Sequence, residues 1–355
     1  MKETFICMAI CISAVWSGCK VDLYSADSGD DHTEFISAGS EITGLKPGLS
    51  AVRFKGDYAF DLFLEQGGAA SDQEIVKFLT DNISDEAVEL QMSDAFLGGS
   101  TISAENAEGG FLFGRNFDWQ NCNSLVITAY PDEGYSSVST ANLDFIGDTD
   151  GFMSLTDEML TAAALYAPLD GMNETGLCVA VNVIQDGGRI EQDTGKPDIT
   201  TTTAIRLLLD KAASADEAVD ILEGYDLHGP ADKMICFAIA DCEGNSVAVE
   251  YADNEMIVVE TPVTAGFYPA EGENEGISAQ QSCTRYEILT ETLRRKPVME
   301  GFQLAELLEI DSKNTIGDPQ STQWSVVFDQ SALTAVYYHR ENYEDGFFFS
   351  ISNDS

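Results

Sequence analysis

From Ser100 onward the chain is a succession of short β runs separated by Gly, Asn and Asp, interrupted by a helical middle. Leu125 to Tyr130, Gly176 to Ile184, Met234 to Ala240 and Ser246 to Tyr251 read as strands. Asp241-Cys242-Glu243-Gly244-Asn245 is a tight connector that makes the last two a hairpin. Thr203 to Ala213, Arg285 to Arg295 and Gln303 to Ile310 read as helices, and Ser214-Ala215-Asp216-Glu217 is a capping box opening another through Leu222. Thr322 to Asp329, Ala332 to Arg340 and Gly346 to Ile351 return to strands. Strands first, paired helices in the middle and strands last suit antiparallel sheets covered by helices, an α+β fold. No internal repeat is visible.

The 355 residues suffice for one large domain or two ordinary ones, and 44% hydrophobic content supports a sizeable core. A formal charge of −43 argues against nucleic acid or an anionic membrane surface as partner and reads as a solubilising surface. Lys2 precedes an apolar stretch, Phe5 to Ile12, too short to span a bilayer. Ser17-Gly18 then precede Cys19, where a bacterial lipoprotein signal would be cut and its cysteine lipidated. We therefore expect export, as a cell-envelope lipoprotein or otherwise as a secreted protein. The expected organisation is a signal (1–19), a flexible tether (20–40), a leader module (41–98) and the main domain (99–355). In the leader, Ser71-Asp72-Gln73-Glu74 is a capping box followed by Ile75, Phe78, Leu79 and Ile83 at helical spacing. Cys122, Cys178, Cys236, Cys242 and Cys283 form no Cys-x-x-Cys pair, and the three His form no ligand pair with them. No metal or cofactor is expected; of these thiols, Cys122 stands closest to the chemistry discussed next.

Residues 110 to 119 read Gly-Phe-Leu-Phe-Gly-Arg-Asn-Phe-Asp-Trp, behind a strand from Ser100 to Ala104. We expect Arg115, Asn116 and Asp118 in a turn that brings a guanidinium and a carboxylate to the start of that strand, at the bottom of a cleft. An amide-cleaving site needs such a pair, a cation for a developing anion and a carboxylate for a charged amine. The plainer reading of Arg-x-x-Asp is a surface ion pair worth ~0–1 kcal/mol. Asn182, inside an apolar strand, would on the plain reading satisfy neighbouring backbone. Arg285 at a helix start is disfavoured by the dipole, which points to a functional reason for it. Asn173 and Glu174 read as structural turn residues.

Five segments in order carry a resemblance. They are the leader run Val52 to Tyr58 with Phe63 to Gly68; Phe113-Gly114-Arg115-Asn116-Phe117-Asp118-Trp119; Gly171-Met172-Asn173-Glu174-Thr175-Gly176-Leu177 with Val181-Asn182; Ser282-Cys283-Thr284-Arg285-Tyr286; and Thr322 to Val327. With them the chain resembles the linear amide C–N hydrolases: choloylglycine (bile salt) hydrolase, penicillin V acylase and the related acid amidases. The resemblance implies an N-terminal-nucleophile fold, a four-layer αββα sandwich. Its leader is removed to expose a cysteine whose own α-amine, of pKa ~7.7–8, serves as general base. By the same resemblance Arg115 would depress the thiol pKa, Asp118 would hold the amine, Asn182 would help bind the oxyanion and Arg285 would order the site. The implied reaction is hydrolysis of a non-peptide linear amide through an acyl intermediate. Conjugated bile acids, penicillin V or N-acyl amino acids would be the substrates, and a homo-oligomer the assembly.

The chain departs from that pattern twice. Gly99 stands at the nucleophile position, where glycine offers no thiol, and Ala265 or Gly266 stands where the resemblance implies an oxyanion-binding Asn. Three explanations stay open. Ser100 serves as a fallback nucleophile, although its side chain points to the other face of the strand; or the chain is a non-catalytic, surface-tethered protein that binds an acyl-amide ligand; or Gly99 is a substitution in an otherwise active hydrolase. A structural envelope lipoprotein is the remaining alternative. Without a side chain at 99 the leader is expected to remain uncut.

Overall fold

The computed structural model describes residues 32–35, 41–83, 89–90, 98–147, 155–184, 188–230, 233–266, 279–313, 320–340 and 342–351. The signal, Cys19 and the tether up to residue 31 lie outside the described residues, as do Phe267 and Tyr268.

Two large sheets dominate. In chain order the first part contains β1 (His32–Phe35), β2 (Thr43–Lys46), β3 (Leu49–Gly56), α1 (Phe60–Glu65), α2 (Asp72–Asn82) and β4 (Glu89–Leu90). Next come β5 (Gly98–Glu105), β6 (Phe111–Trp119), β7 (Ser124–Pro131), β8 (Ser137–Asn142), β9 (Ile146–Gly147) and α3 (Asp157–Leu165). The middle holds β10 (Pro168–Asn173), β11 (Cys178–Ile184), β12 (Asp198–Thr200), α4 (Thr201–Lys211), α5 (Ala215–Leu222) and β13 (Asp226–His228). The remainder is β14 (Met234–Ala240), β15 (Ser246–Ala252), β16 (Glu255–Glu260), β17 (Val263–Ala265), α6 (Ala279–Arg295), α7 (Gly301–Asp311), β18 (Ser321–Asp329), β19 (Thr334–His339) and β20 (Asn342–Ser350).

The first sheet has the order β1-β20-β19-β18-β6-β5-β17 and the second β16-β15-β14-β11-β10-β8-β7-β3-β2. Within these two sheets pairing is antiparallel except for β1 with β20 and β3 with β7, and the separate short pair β12–β13 is also parallel. Helices α6 and α7 cover the outer face of the first sheet, α3, α4 and α5 cover the second, and β5 faces β11 between the sheets. This is the αββα sandwich. Two apolar clusters result: the larger fills the space between the sheets and under α3 to α5, and the smaller lies between the first sheet and α6–α7.

Alternation along β6 explains how one strand serves both clusters. Phe113 and Phe117 point into the larger cluster while Leu112 belongs to the smaller one. Phe111 to Trp119 is one continuous strand, so the expected turn at Arg115 is not there. Buried neighbours on both sides make continued extension more favourable than a turn, whose backbone groups would go unpaired.

Residues 41–83 are woven into this architecture. β3 pairs with β7 at eight consecutive positions, and Leu49, Val52, Phe60, Phe63, Ile75 and Leu79 are buried in the larger cluster. The Tyr58 hydroxyl donates to the buried Asp210 carboxylate on α4. Among the described residues no helix is long and apolar enough to cross a membrane.

Candidate active site

The register of the β5–β6 pair sets Gly98 opposite Asp118, Gly99 opposite Phe117, Ser100 opposite Asn116 and Thr101 opposite Arg115. Strand alternation then divides the residues into two groups on opposite faces of the first sheet.

Arg115 lies on the face toward the second sheet and is fully buried. One guanidinium nitrogen, Nη1, donates to the side-chain oxygen of Asn182, and Nη2 donates to the Val181 carbonyl at 2.5 Å. Nε stands 3.8 Å from the Asp170 carboxylate, which accepts from the Trp324 indole at 2.8 Å. The Asn182 amide donates to Thr264 Oγ1 at 2.8 Å, and that hydroxyl meets Thr101 Oγ1 at 2.6 Å. Burial pulls the guanidinium down to about 10, with Asp170 and Asp118 working in the opposite direction, so it stays charged at neutral pH. Burial likewise raises the Asp170 carboxyl against the pull of Arg115.

Asp118 lies on the other face, toward α6 and α7. Its carboxylate accepts from Arg285 Nη1 and, at 2.7 Å, from the Thr322 hydroxyl. Arg285 also reaches Asp311 with Nε at 3.2 Å and donates to Ser100 Oγ at 2.9 Å. The Ser100 hydroxyl in turn donates to Asp311. Burial pushes the Asp311 carboxyl up to about 6, against the pull of Arg285 and the Ser100 hydroxyl. Burial alone would lower Arg285, but Asp118 and Asp311 more than reverse this and raise it. Two carboxylates share one guanidinium here, which leaves a surplus negative charge.

Gly99 sits between these groups without a side chain, and the space a Cβ would take is filled. A Cβ built there meets Arg115 Nη1, the Asn116 backbone oxygen at 2.5 Å and Asn182 Oδ1 at 2.8 Å. A Cβ on Gly98 would meet the Asp118 carboxylate at 3.2 Å. The second departure is equally clear: Ala265 pairs with Ser100, so β17 brings Ala265 and Gly266 to the nucleophile strand with no polar side chain. Thr264, one residue earlier, takes the Asn182 amide instead.

Several local expectations change. Arg115 and Asp118 do not form a surface pair; they are 0% and 2% exposed and face opposite ways. Instead of lying at the floor of an open cleft, the group is enclosed, and Arg285, with 13% of its side chain exposed, is its link to solvent among the described residues. Arg285 does not start a helix, because α6 begins at Ala279, and the argument from the helix dipole falls with it. Asn173 closes β10 and ties α4 to the sheet by donating to the carbonyls of Leu209 and Ala212 at 3.1 and 2.8 Å. The Cys122 thiol is buried and pushed up to about 12 by desolvation, which makes it unreactive. Asp170, Thr264, Asp311 and Thr322 complete the site and were not singled out from sequence. An Asp just before the matched Gly171-Met172-Asn173 and the Thr that opens the matched run Thr322 to Val327 were the available signals. Nothing marked Asp311, whose partners lie 26 and 211 residues away. Among the described residues no group of His, Cys, Asp and Glu is arranged to hold a metal.

Comparison with known proteins follows the same lines. The fold is similar to a mutant of the conjugated bile acid hydrolase of Clostridium perfringens, with a TM-score of 0.50 at 14% identity over 68% of this chain and 89% of that one. It is also similar to penicillin V acylase from Agrobacterium tumefaciens, with a TM-score of 0.47 at 16% identity over 68% of this chain and 82% of that one. No curated protein matches the sequence. The model of the family described as linear amide C–N hydrolases, choloylglycine hydrolase family, matches residues 99–267, beginning at Gly99 itself. Through that segment the chain is similar to the choloylglycine hydrolase family of linear amide C–N hydrolases.

Proposed function

We propose that this chain is a family member that engages a small acyl amide without cleaving it through residue 99, and that its leader stays attached. The observation that carries the reading is the occupied space at Gly99: Arg115 and Asn182 bond to each other across the position where a nucleophile would stand. An Asn whose side-chain oxygen accepts from Arg115 and whose amide donates to Thr264 is not free for an oxyanion. Conjugated bile acids, penicillin V and N-acyl amino acids are the ligands to try first. Export with a lipid on Cys19 belongs to the same proposal. Labelling with palmitate should be lost in Cys19→Ser.

A second reading has its own support. Ser100 donates to Asp311, a carboxyl with a pKa of about 6, and accepts from Arg285, so a base and a cation already flank its oxygen. Turnover of those amides, together with intact-mass analysis, separates the two. The first reading expects no turnover, no acyl adduct and no chain beginning at 99 or 100. Turnover that survives Gly99→Ala but disappears in Ser100→Ala would replace it with the second. Gly99→Cys alone is expected to lower the melting temperature rather than restore activity, because the obstructing Asn116 oxygen is backbone and cannot swing aside.

A further inference from the structure

Residues 41–83 and the domain after residue 98 meet through more than a shared sheet. Tyr166, just after α3, sets its ring among four aromatic residues of the leader. Its centroid lies 5.4 Å from those of Phe60 and Phe63, 6.0 Å from Phe78 and 6.1 Å from Tyr58. All five rings are buried, and the contacts with Tyr58, Phe60 and Phe63 are edge-to-face. Such geometry adds to what apolar burial alone contributes. The Tyr166 hydroxyl also donates to the Tyr58 carbonyl at 3.0 Å.

A charge cluster adjoins this aromatic socket. Arg206 on α4 is fully buried, reaches one Asp210 oxygen at 2.6 Å and donates to Ser137 Oγ at 2.9 Å. The other Asp210 oxygen accepts from the Tyr58 hydroxyl. Burial holds the Tyr58 phenol well above its ordinary pKa, against the pull of Arg206, so it stays a donor. A buried carboxylate stripped of such a donor is costly. The domain therefore relies on a side chain that lies before residue 98. At the sheet, β3 stands between β2 and β7, so taking it away would bare β7 as an edge. By contrast, the contact of Lys211 with Asp61 at 2.7 Å is partly exposed on both sides and contributes little.

We propose that residues 41–83 are a permanent subunit of this protein, seated by the Tyr166 socket and the Tyr58–Asp210 bond, and that they remain bound when the chain between 83 and 98 is cut. This goes beyond the fate of the bond before residue 99, because it concerns what holds the leader once no covalent link remains. The test is the full chain carrying a site-specific protease sequence inserted between residues 91 and 97, cut after folding. Both pieces are expected to co-elute in native size exclusion, and native mass spectrometry should give the mass of the uncut chain plus one water. Release is expected only in denaturant. At a fixed urea concentration below the unfolding transition, Tyr58→Phe, which keeps the ring and removes the donor, should speed release of the cut leader roughly tenfold or more, as loss of a bond to a charged group does. Asp61→Ala should change it about twofold or less. Release of the leader from the cut wild-type protein in native buffer, or equal effects of the two substitutions, overturns the proposal. If Tyr58→Phe prevents folding, co-elution of the cut wild-type pieces decides alone. Intact mass of the chain without the inserted sequence reports separately on residue 99, so the two readings fail independently.

Discussion

On the face of β6 toward the second sheet, Arg115 is enclosed by two side-chain and backbone carbonyls and one carboxylate, with no solvent path. On the face toward α6 and α7, Arg285 bridges two carboxylates and keeps part of its side chain exposed. Both sites neutralise a buried guanidinium, but they differ in stoichiometry and access. The inner one has a cation matched to a single acid and neutral oxygens, and burial lowers Arg115 and raises Asp170. The outer one carries a surplus acid and titrates. A response to pH near 6 is therefore expected on the helix side, at Asp311, whereas loss of the inner cation acts on stability.

The largest expected effect is at the inner site. Arg115→Met should cost ~3–5 kcal/mol in urea unfolding, because it leaves Asp170 buried without its cation. Adding Asp170→Asn should recover part of that loss. A cost no greater than that of removing Arg285 would erase the distinction between the faces.

A smaller, pH-dependent effect is expected at Asp311. Its folded pKa of about 6 lies above the usual carboxylate value, so the folded state holds the proton more tightly than the unfolded state does. The stability this contributes is fully present below about pH 4 and is lost as pH rises to about 6, an amount of roughly 3 kcal/mol. Wild type minus Asp311→Asn, measured by denaturation across that window, should isolate this slope. A difference that is flat with pH would place the titrating group elsewhere.

The smallest effect is a single bond. Thr322→Val removes the hydroxyl that donates to Asp118 at 2.7 Å, and should cost about 1 kcal/mol. An effect much larger than this in circular-dichroism melting would show that Thr322 holds the β6–β18 register as well.

Much of the fold was legible because its causes are local. The hairpin at Asp241 to Asn245 and the helix opened by Ser214 form where turn and capping chemistry place them. The unbroken run of β6 was misjudged for one reason. Phe113, Phe117 and Arg115 are held extended by partners in β18 and β11, which sequence neighbours do not reveal. The site was legible in part, since Arg115, Asp118, Asn182 and Arg285 stand within matched motifs, but their grouping was not. Asp170 has only its place beside a matched motif and Asp311 carries no local signature, and their roles exist through contacts across 55 and 26 residues.

Taken alone, the sequence determined the class of architecture, the family resemblance and the missing side chain at residue 99, since each is written in composition, alternation or residue identity. The tertiary structure decided what that missing side chain means. Strand alternation sent Arg115 and Ser100 to opposite faces, and packing of β5 against β6 and β11 filled the volume beside Gly99 with Arg115 and Asn182. Whether a position is open or occupied depends on atoms brought together from remote segments, and close packing leaves no room for both outcomes.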